Sequence, residues 1–181
     1  PPAKYSNKTA CGAFSLAFAY LQGDIKDSLL YQKDPEEFSR LNKRLVSVGG
    51  IYLYRDGIRI LPYGRSDYDF LDIEQRRSKG AAYYFCSYRR IFGAITVTRE
   101  TNGGLQEKAG REGFKENKAF RTLRDLCINL LINVAAEFFR KEGPRADIWS
   151  TRRADLERNE LLRRQREQQV RSKRAAFSQD L

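Results

Sequence analysis

Residues 11–21 alternate with a period of two. Phe14, Leu16, Phe18 and Tyr20 fall on one side, with Ala13, Ser15, Ala17 and Ala19 between them. That pattern predicts a strand, and the small side chains on its second face predict that something packs closely there. Asp34-Pro35-Glu36-Glu37 predicts a helix start: Asp34 can cap, Pro35 suits the first helical position, and Glu37 completes an approximate capping box. Phe38, Leu41, Leu45 and Val46 follow as its apolar stripe, and Gly49-Gly50 stops it.

Ile51 to Tyr54 and Ile58 to Leu61 flank Arg55-Asp56-Gly57, which predicts a β-hairpin, because Gly accepts the positive φ of a primed turn. Pro62-Tyr63-Gly64 ends it. Residues 65–77 are polar with Tyr68, Phe70, Leu71 and Ile73 embedded, which reads as a structured loop with one helical turn. Residues 81–86 and 91–99 are two further strand candidates, joined by Ser87-Tyr88-Arg89-Arg90. A Gly-rich polar loop covers 101–110. Asn117 then opens a long helix with Phe120, Leu123, Cys127, Leu130, Leu131, Val134 and Phe138 at helical spacing, closed by Gly143-Pro144. Residues 152–174 are rich in Arg, Glu and Gln, a solvated helix or the start of a coiled coil.

These elements predict an α+β fold: a mostly antiparallel sheet of about four strands, helices on one face, and a C-terminal charged helix. The organisation is a flexible lead-in over 1–10, a domain over 11–144, and a charged extension over 145–181. Composition supports a real core, with 41% hydrophobic residues in 181. The 31% charged fraction and a mean hydropathy of -0.65 put part of the chain outside it. The absence of histidine excludes imidazole catalysis and His-ligated metals. Cys11, Cys86 and Cys127 are far apart, lack zinc-type pairing and sit among apolar residues, so they read as buried thiols in a reducing cytoplasm. No apolar run approaches a membrane span, and neither a membrane partner nor a metal is expected. A formal net charge of +11 favours acidic partners, nucleic acid first. The start at Pro1 and the lack of methionine suggest a piece of a longer protein.

Three motifs then occur in order. The hairpin Gly50 to Leu61 ends in Pro62-Tyr63-Gly64. Asp69-Phe70-Leu71 follows, with Arg76-Arg77. Gly110-Arg111-Glu112-Gly113-Phe114, with Asn117 and Phe120, leads into the long helix. Residues 49–142 with these motifs resemble the second, transducer domain of the GHKL ATPases: the gyrase, heat-shock-protein-90, histidine-kinase and mismatch-repair class, with the microrchidia ATPases. The resemblance implies a ribosomal-protein-type fold and an N-terminal ATP-binding domain of the same parent protein, which holds ATP and Mg. It further implies a homodimer, and one basic residue that reaches from this domain to the γ-phosphate. Arg111 is the matched position, and Lys108 is the nearby alternative. An ordinary surface ion pair between Arg111 and Glu112 at the start of a helix is the competing reading.

Chemistry agrees with the resemblance. The γ-phosphate gathers negative charge during transfer, and a positioned guanidinium fork stabilises it. Asn102-Gly103-Gly104 is expected to be flexible enough to move the cation. The Asn-bearing helix, Asp-x-Gly-x-Gly stretch and Gly-rich lid of an ATP site are absent from the sequence, so this chain alone is not expected to hydrolyse ATP. Two other classes remain open. One is a nucleic-acid-binding module contacting DNA or RNA through Arg163, Arg164 and Arg166; the other is a structural dimerisation segment. Basic residues among Tyr83, Tyr84 and Tyr88 also suit stacking with nucleic acid, although alternating tyrosines are commoner as half-buried sheet positions. Asp67, Asp69, Asp72 and Glu74 match no calcium loop, and Asp69 is expected to anchor a nearby arginine.

Overall fold

The computed structural model describes residues 9–21, 34–110, 112–140 and 142–179, excluding the side chains of Trp149, Ser150, Arg153 and residues 173–179. It is α+β, built on a four-stranded mixed sheet in the order β1–β4–β2–β3. Strand β1 (Ser15–Tyr20) pairs antiparallel with β4 (Ile91–Val97), and β2 (Gly50–Arg55) pairs antiparallel with β3 (Ile58–Arg59). The central pair, β2 with β4, is parallel, from Gly50 opposite Phe92 to Arg55 opposite Val97. The mostly antiparallel expectation therefore holds at the flanks and fails at the centre. The reason is the connection: a parallel pair needs a crossover, and residues 60–90 supply one.

That crossover corrects a second expectation. Residues 81–86 are not a strand. Helix α2 (Ile73–Lys79) is followed at once by a short helix α3 (Ala81–Tyr84). Tyr84 N–H donates to Gly80 O at 2.9 Å and Phe85 N–H to Ala81 O at 3.0 Å. Two alanines, the best helix formers, outweigh the β preference of the tyrosines. Phe85, at φ 56, ends the turn, and a 3₁₀ turn over Tyr88–Arg90 leads into β4.

The hairpin between β2 and β3 forms as its sequence predicts. Asp56 (φ 52) and Gly57 (φ 80) both take the positive φ of a type I′ turn. Helix α1 (Pro35–Val48) begins at Asp34, whose side chain accepts from Glu36 N–H, and Gly49 terminates it. Helix α4 (Lys118–Val134) is capped by Asn117, which accepts from Phe120 N–H at 3.0 Å.

One face of the sheet makes the core. Ile51, Leu53, Ile91, Ile95 and Val97 are essentially inaccessible and pack with Phe120, Leu123, Cys127 and Leu131 of α4. Burying each such side chain contributes about 1.5–3 kcal/mol. Beyond Val134 the helix widens into a π turn over Ala135–Phe139, closed by Arg140 N–H to Ala135 O at 3.1 Å. Helix α5 (Ala146–Gln179) is one continuous element and starts earlier than residue 152. Among the described residues, no helix is long and apolar enough to cross a membrane.

Candidate functional site

The three sequence motifs meet around one ring. Tyr63, from Pro62-Tyr63-Gly64, is buried, with Phe70 edge-on at 4.7 Å, Phe114 stacked at 6.1 Å and Phe120 at 5.7 Å between centroids. Its hydroxyl accepts a hydrogen bond from Phe114 N–H at 2.9 Å. A parallel bridge joins Leu61 to Glu112, so the strand end and the third motif lie side by side. Gly113 fits because it adopts φ +88, and a Cβ there would sit 3.1 Å from the Tyr63 hydroxyl.

The segment 105–115 doubles back on itself. Glu107 bridges Phe114 in antiparallel fashion, Lys108 N–H donates to Gly113 O at 2.9 Å, and Lys115 N–H donates to Gln106 O at 2.8 Å. Its tip is presented to solvent: Lys108, Gly110 and Glu112 are exposed, while Leu105, Gly113 and Phe114 are buried. Lys108 is thus an accessible cation on a tight turn. Arg111, the first candidate, lies outside the described residues.

Arg55 braces both legs of this turn. Its Nη1 donates to Leu105 O at 2.9 Å and to Glu107 Oε1 at 3.1 Å on the incoming leg. Its guanidinium lies 5.7 Å from the Phe114 ring centroid on the outgoing leg. Only 9% of Arg55 is exposed. The sequence reading missed it, although a signal was present: strict alternation places Arg55 on the same face as Ile51 and Leu53, and a cation on a core face requires partners.

The loop before the turn is pinned, contrary to the expected flexibility of 102–104. Asn102 is 1% exposed. Its Nδ2 donates to Cys11 O and to Ala13 O, and its Oδ1 accepts from Thr98 N–H at 2.9 Å. Asn117 Nδ2 donates to Gly104 O at 2.8 Å, which fastens the far end to the start of α4. Two glycines in sequence suggest freedom, but an amide satisfied on both of its atoms removes it.

Other candidates go elsewhere. Asp69 does not anchor an arginine; its Oδ2 accepts from Glu74 N–H at 2.8 Å, and burial raises its carboxyl despite that bond. Asp72 is the residue that pairs, with Arg124 of α4, whose Nε also donates to Phe70 O at 2.8 Å. Glu74 Oε2 accepts from Ser87 Oγ and Tyr88 N–H. Asp67 pairs with Arg65, which holds its carboxyl below the usual range. Among the described residues, no group of three His, Cys, Asp or Glu is placed to hold a metal. Tyr83 and Tyr84 stand on α3 rather than in a strand, Tyr83 half exposed beneath the Arg140 guanidinium at 3.4 Å. Arg163, Arg164 and Arg166 stand exposed on α5, a different element from the turn. Arg163 pairs with Glu167 at 3.4 Å and Arg164 with Glu160 at 2.9 Å.

Burial also acts on the core's titratable groups. It pushes the Cys86 thiol up to about 11 and the Cys127 thiol to about 12, the latter with a smaller contribution from nearby Cys11. All three cysteines are buried free thiols. Tyr63 is raised by burial against the opposing effect of the Phe114 N–H bond.

Compared with protein-family models, with curated proteins and with solved structures, the chain matches none.

Proposed function

We propose that this chain is the transducer part of a GHKL-type ATPase, with the two-layer ribosomal-protein-type fold of that class. The turn over 105–115 carries a basic residue to the γ-phosphate of ATP, which is held with Mg by an N-terminal ATP-binding domain of the same parent protein. Arg111 is the residue assigned, and Lys108 is the alternative on the same turn. Helix α4 then relays nucleotide state through the π turn to α5.

The observation that carries this reading is the mounting of the turn. Its tip is exposed, while its legs are fixed by Arg55, Tyr63, Asn102 and Asn117, and it is continuous with the capped start of a long helix. A cation on such a mounting acts without reorganising when charge develops, which is where electrostatic catalysis gains most. Force on the tip passes to α4 because Asn117 ties the loop to the helix terminus. Three buried thiols suit a reducing compartment such as the cytoplasm.

The test is amide exchange in the parent protein with and without a non-hydrolysable ATP analogue and Mg. The reading predicts slowed exchange in 106–115 and at the start of α4 when nucleotide is bound. Exchange there that ignores nucleotide contradicts it. A nucleic-acid-binding role rests on the net charge of +11 and predicts DNA or RNA affinity that falls steeply with salt.

A further inference from the structure

The outer face of the sheet is the most unusual surface described. In strand register, its rows read Ser15, Thr96, Tyr54 and Arg59; then Ala17, Ala94 and Tyr52; then Ala19 and Phe92. Arg59 alone in these rows is charged, and its guanidinium lies over the Tyr52 ring at 4.4 Å. A parallel pair is normally covered on both faces. Here β2 and β4 are covered on the inner face, and among the described residues the outer face holds a trough of about 340 Å³ instead. Phe92 is 48% exposed.

The relief of this face is two-sided. The aromatic rings of Tyr52 and Tyr54 stand as a ridge over β2, with Phe92 packed edge-on to Tyr52 at 5.5 Å. The alanines Ala17 and Ala19 form a low floor over β1. A two-fold axis lying along β4 between two such faces brings the ridge of each copy over the floor of the other. That is the self-complementarity an isologous interface requires. It also matches the pattern of residues 13–19, whose small side chains imply a close neighbour on that side.

We propose that this face is a self-association surface, and that its occupant is a second copy of this chain packed sheet on sheet. Strands about 4.8 Å apart rising about 3.3 Å per residue give a four-strand face about 19 by 20 Å. With side-chain relief that is about 500 Å² per copy and about 1,000 Å² in all, the lower bound for a specific interface. The dimer is therefore weak and concentration-dependent. Each copy carries +11, so screening that repulsion tightens the dimer as salt rises, the reverse of nucleic-acid binding. The inference stands independently of the transducer reading.

Sedimentation velocity of the chain between about 5 and 500 µM tests it, with the Ala94→Glu and Ala17→Arg variants alongside. The wild type is expected to pass from monomer to dimer over that range, more readily at higher salt. Either variant is expected to raise the dissociation constant at least about tenfold, since a charge is buried without a partner. Both positions point away from the core, and unchanged circular dichroism checks that the variants fold. Ala94→Cys adds a second reading, because the three native thiols are buried: a short bismaleimide is expected to link two copies through residue 94. A wild type that stays monomeric throughout overturns the proposal. Variants that dimerise like the wild type, or a residue-94 thiol that never cross-links, overturn it equally.

Discussion

Arg55 reaches Glu107 across the domain, Nη1 to Oε1 at 3.1 Å, from the last residue of β2 to the base of the candidate turn. The same guanidinium holds Leu105 O. One side chain thus connects the hairpin, the sheet and the turn. The chemistry suits arginine: its fork serves two acceptors while its flat face lies beside the Phe114 ring.

Arg55→Met is accordingly expected to cost about 1–3 kcal/mol, because it leaves Glu107 and Leu105 O without their donor in a poorly solvated place. Urea denaturation measures the loss. The distinguishing result is local: amide exchange at Lys108 and Lys115 accelerates beyond the global change, since the mutation frees the turn. Uniform acceleration across α4 and the sheet would show that Arg55 supports the core alone.

Tyr63→Phe removes one oxygen from the centre of the three motifs. The ring contacts survive, but Phe114 N–H loses its acceptor, and a buried unsatisfied donor costs about 1–3 kcal/mol. Thermal unfolding with and without the substitution checks this. A variant as stable as the wild type would mean that the Phe114 amide is satisfied by another group.

Alkaline pH is expected to destabilise the fold ahead of any effect on the basic side chains. The Cys86 and Cys127 thiols are raised to about 11 and about 12 by burial, against about 8.5 in an unfolded chain. The folded state therefore holds these protons more tightly. Stability is fully present below about pH 8.5 and falls as pH rises toward 11–12. Tyr63 and Tyr88, also raised by burial, add to the loss above about pH 10. Unfolding free energy measured from pH 7 to 11 gives the slope, and Cys127→Ala is expected to flatten it. A slope unchanged in that variant would contradict the assignment.

Much of this was legible where local chemistry decides. Asp56-Gly57 requires a primed turn in any context, and Asn117 caps because its side chain reaches Phe120 N–H within one turn. The parallel register of β2 with β4 was not legible, since no local pattern states which distant strand a strand will meet. Ala81-Ala82-Tyr83-Tyr84 failed because alanine and tyrosine pull in opposite directions over four residues, and packing decides. The pinning of Asn102 depends on Cys11 O and Ala13 O, some ninety residues away, which composition cannot reveal.

Helix α5 is expected to exchange rapidly along its outer half. Leu161, Leu162 and Val170 are 45–59% exposed, so little apolar burial supports those turns. Amides of residues 161–172 in the isolated chain should lose protection well before those of α4. Equal protection in both helices would show that α5 is covered in solution.

The central assignment is tested most directly by steady-state phosphate release from the parent protein, measured together with nucleotide affinity, for Arg111→Ala and Lys108→Ala. The chain alone is expected to release no phosphate. In the parent, Arg111→Ala is expected to slow release about tenfold or more while ATP affinity changes little, because the lost cation acts on charge that develops in the transition state. Lys108→Ala is expected to be mild. Wild-type turnover in Arg111→Ala, with the loss confined to Lys108→Ala, would move the role three residues upstream; wild-type turnover in both variants would contradict the account.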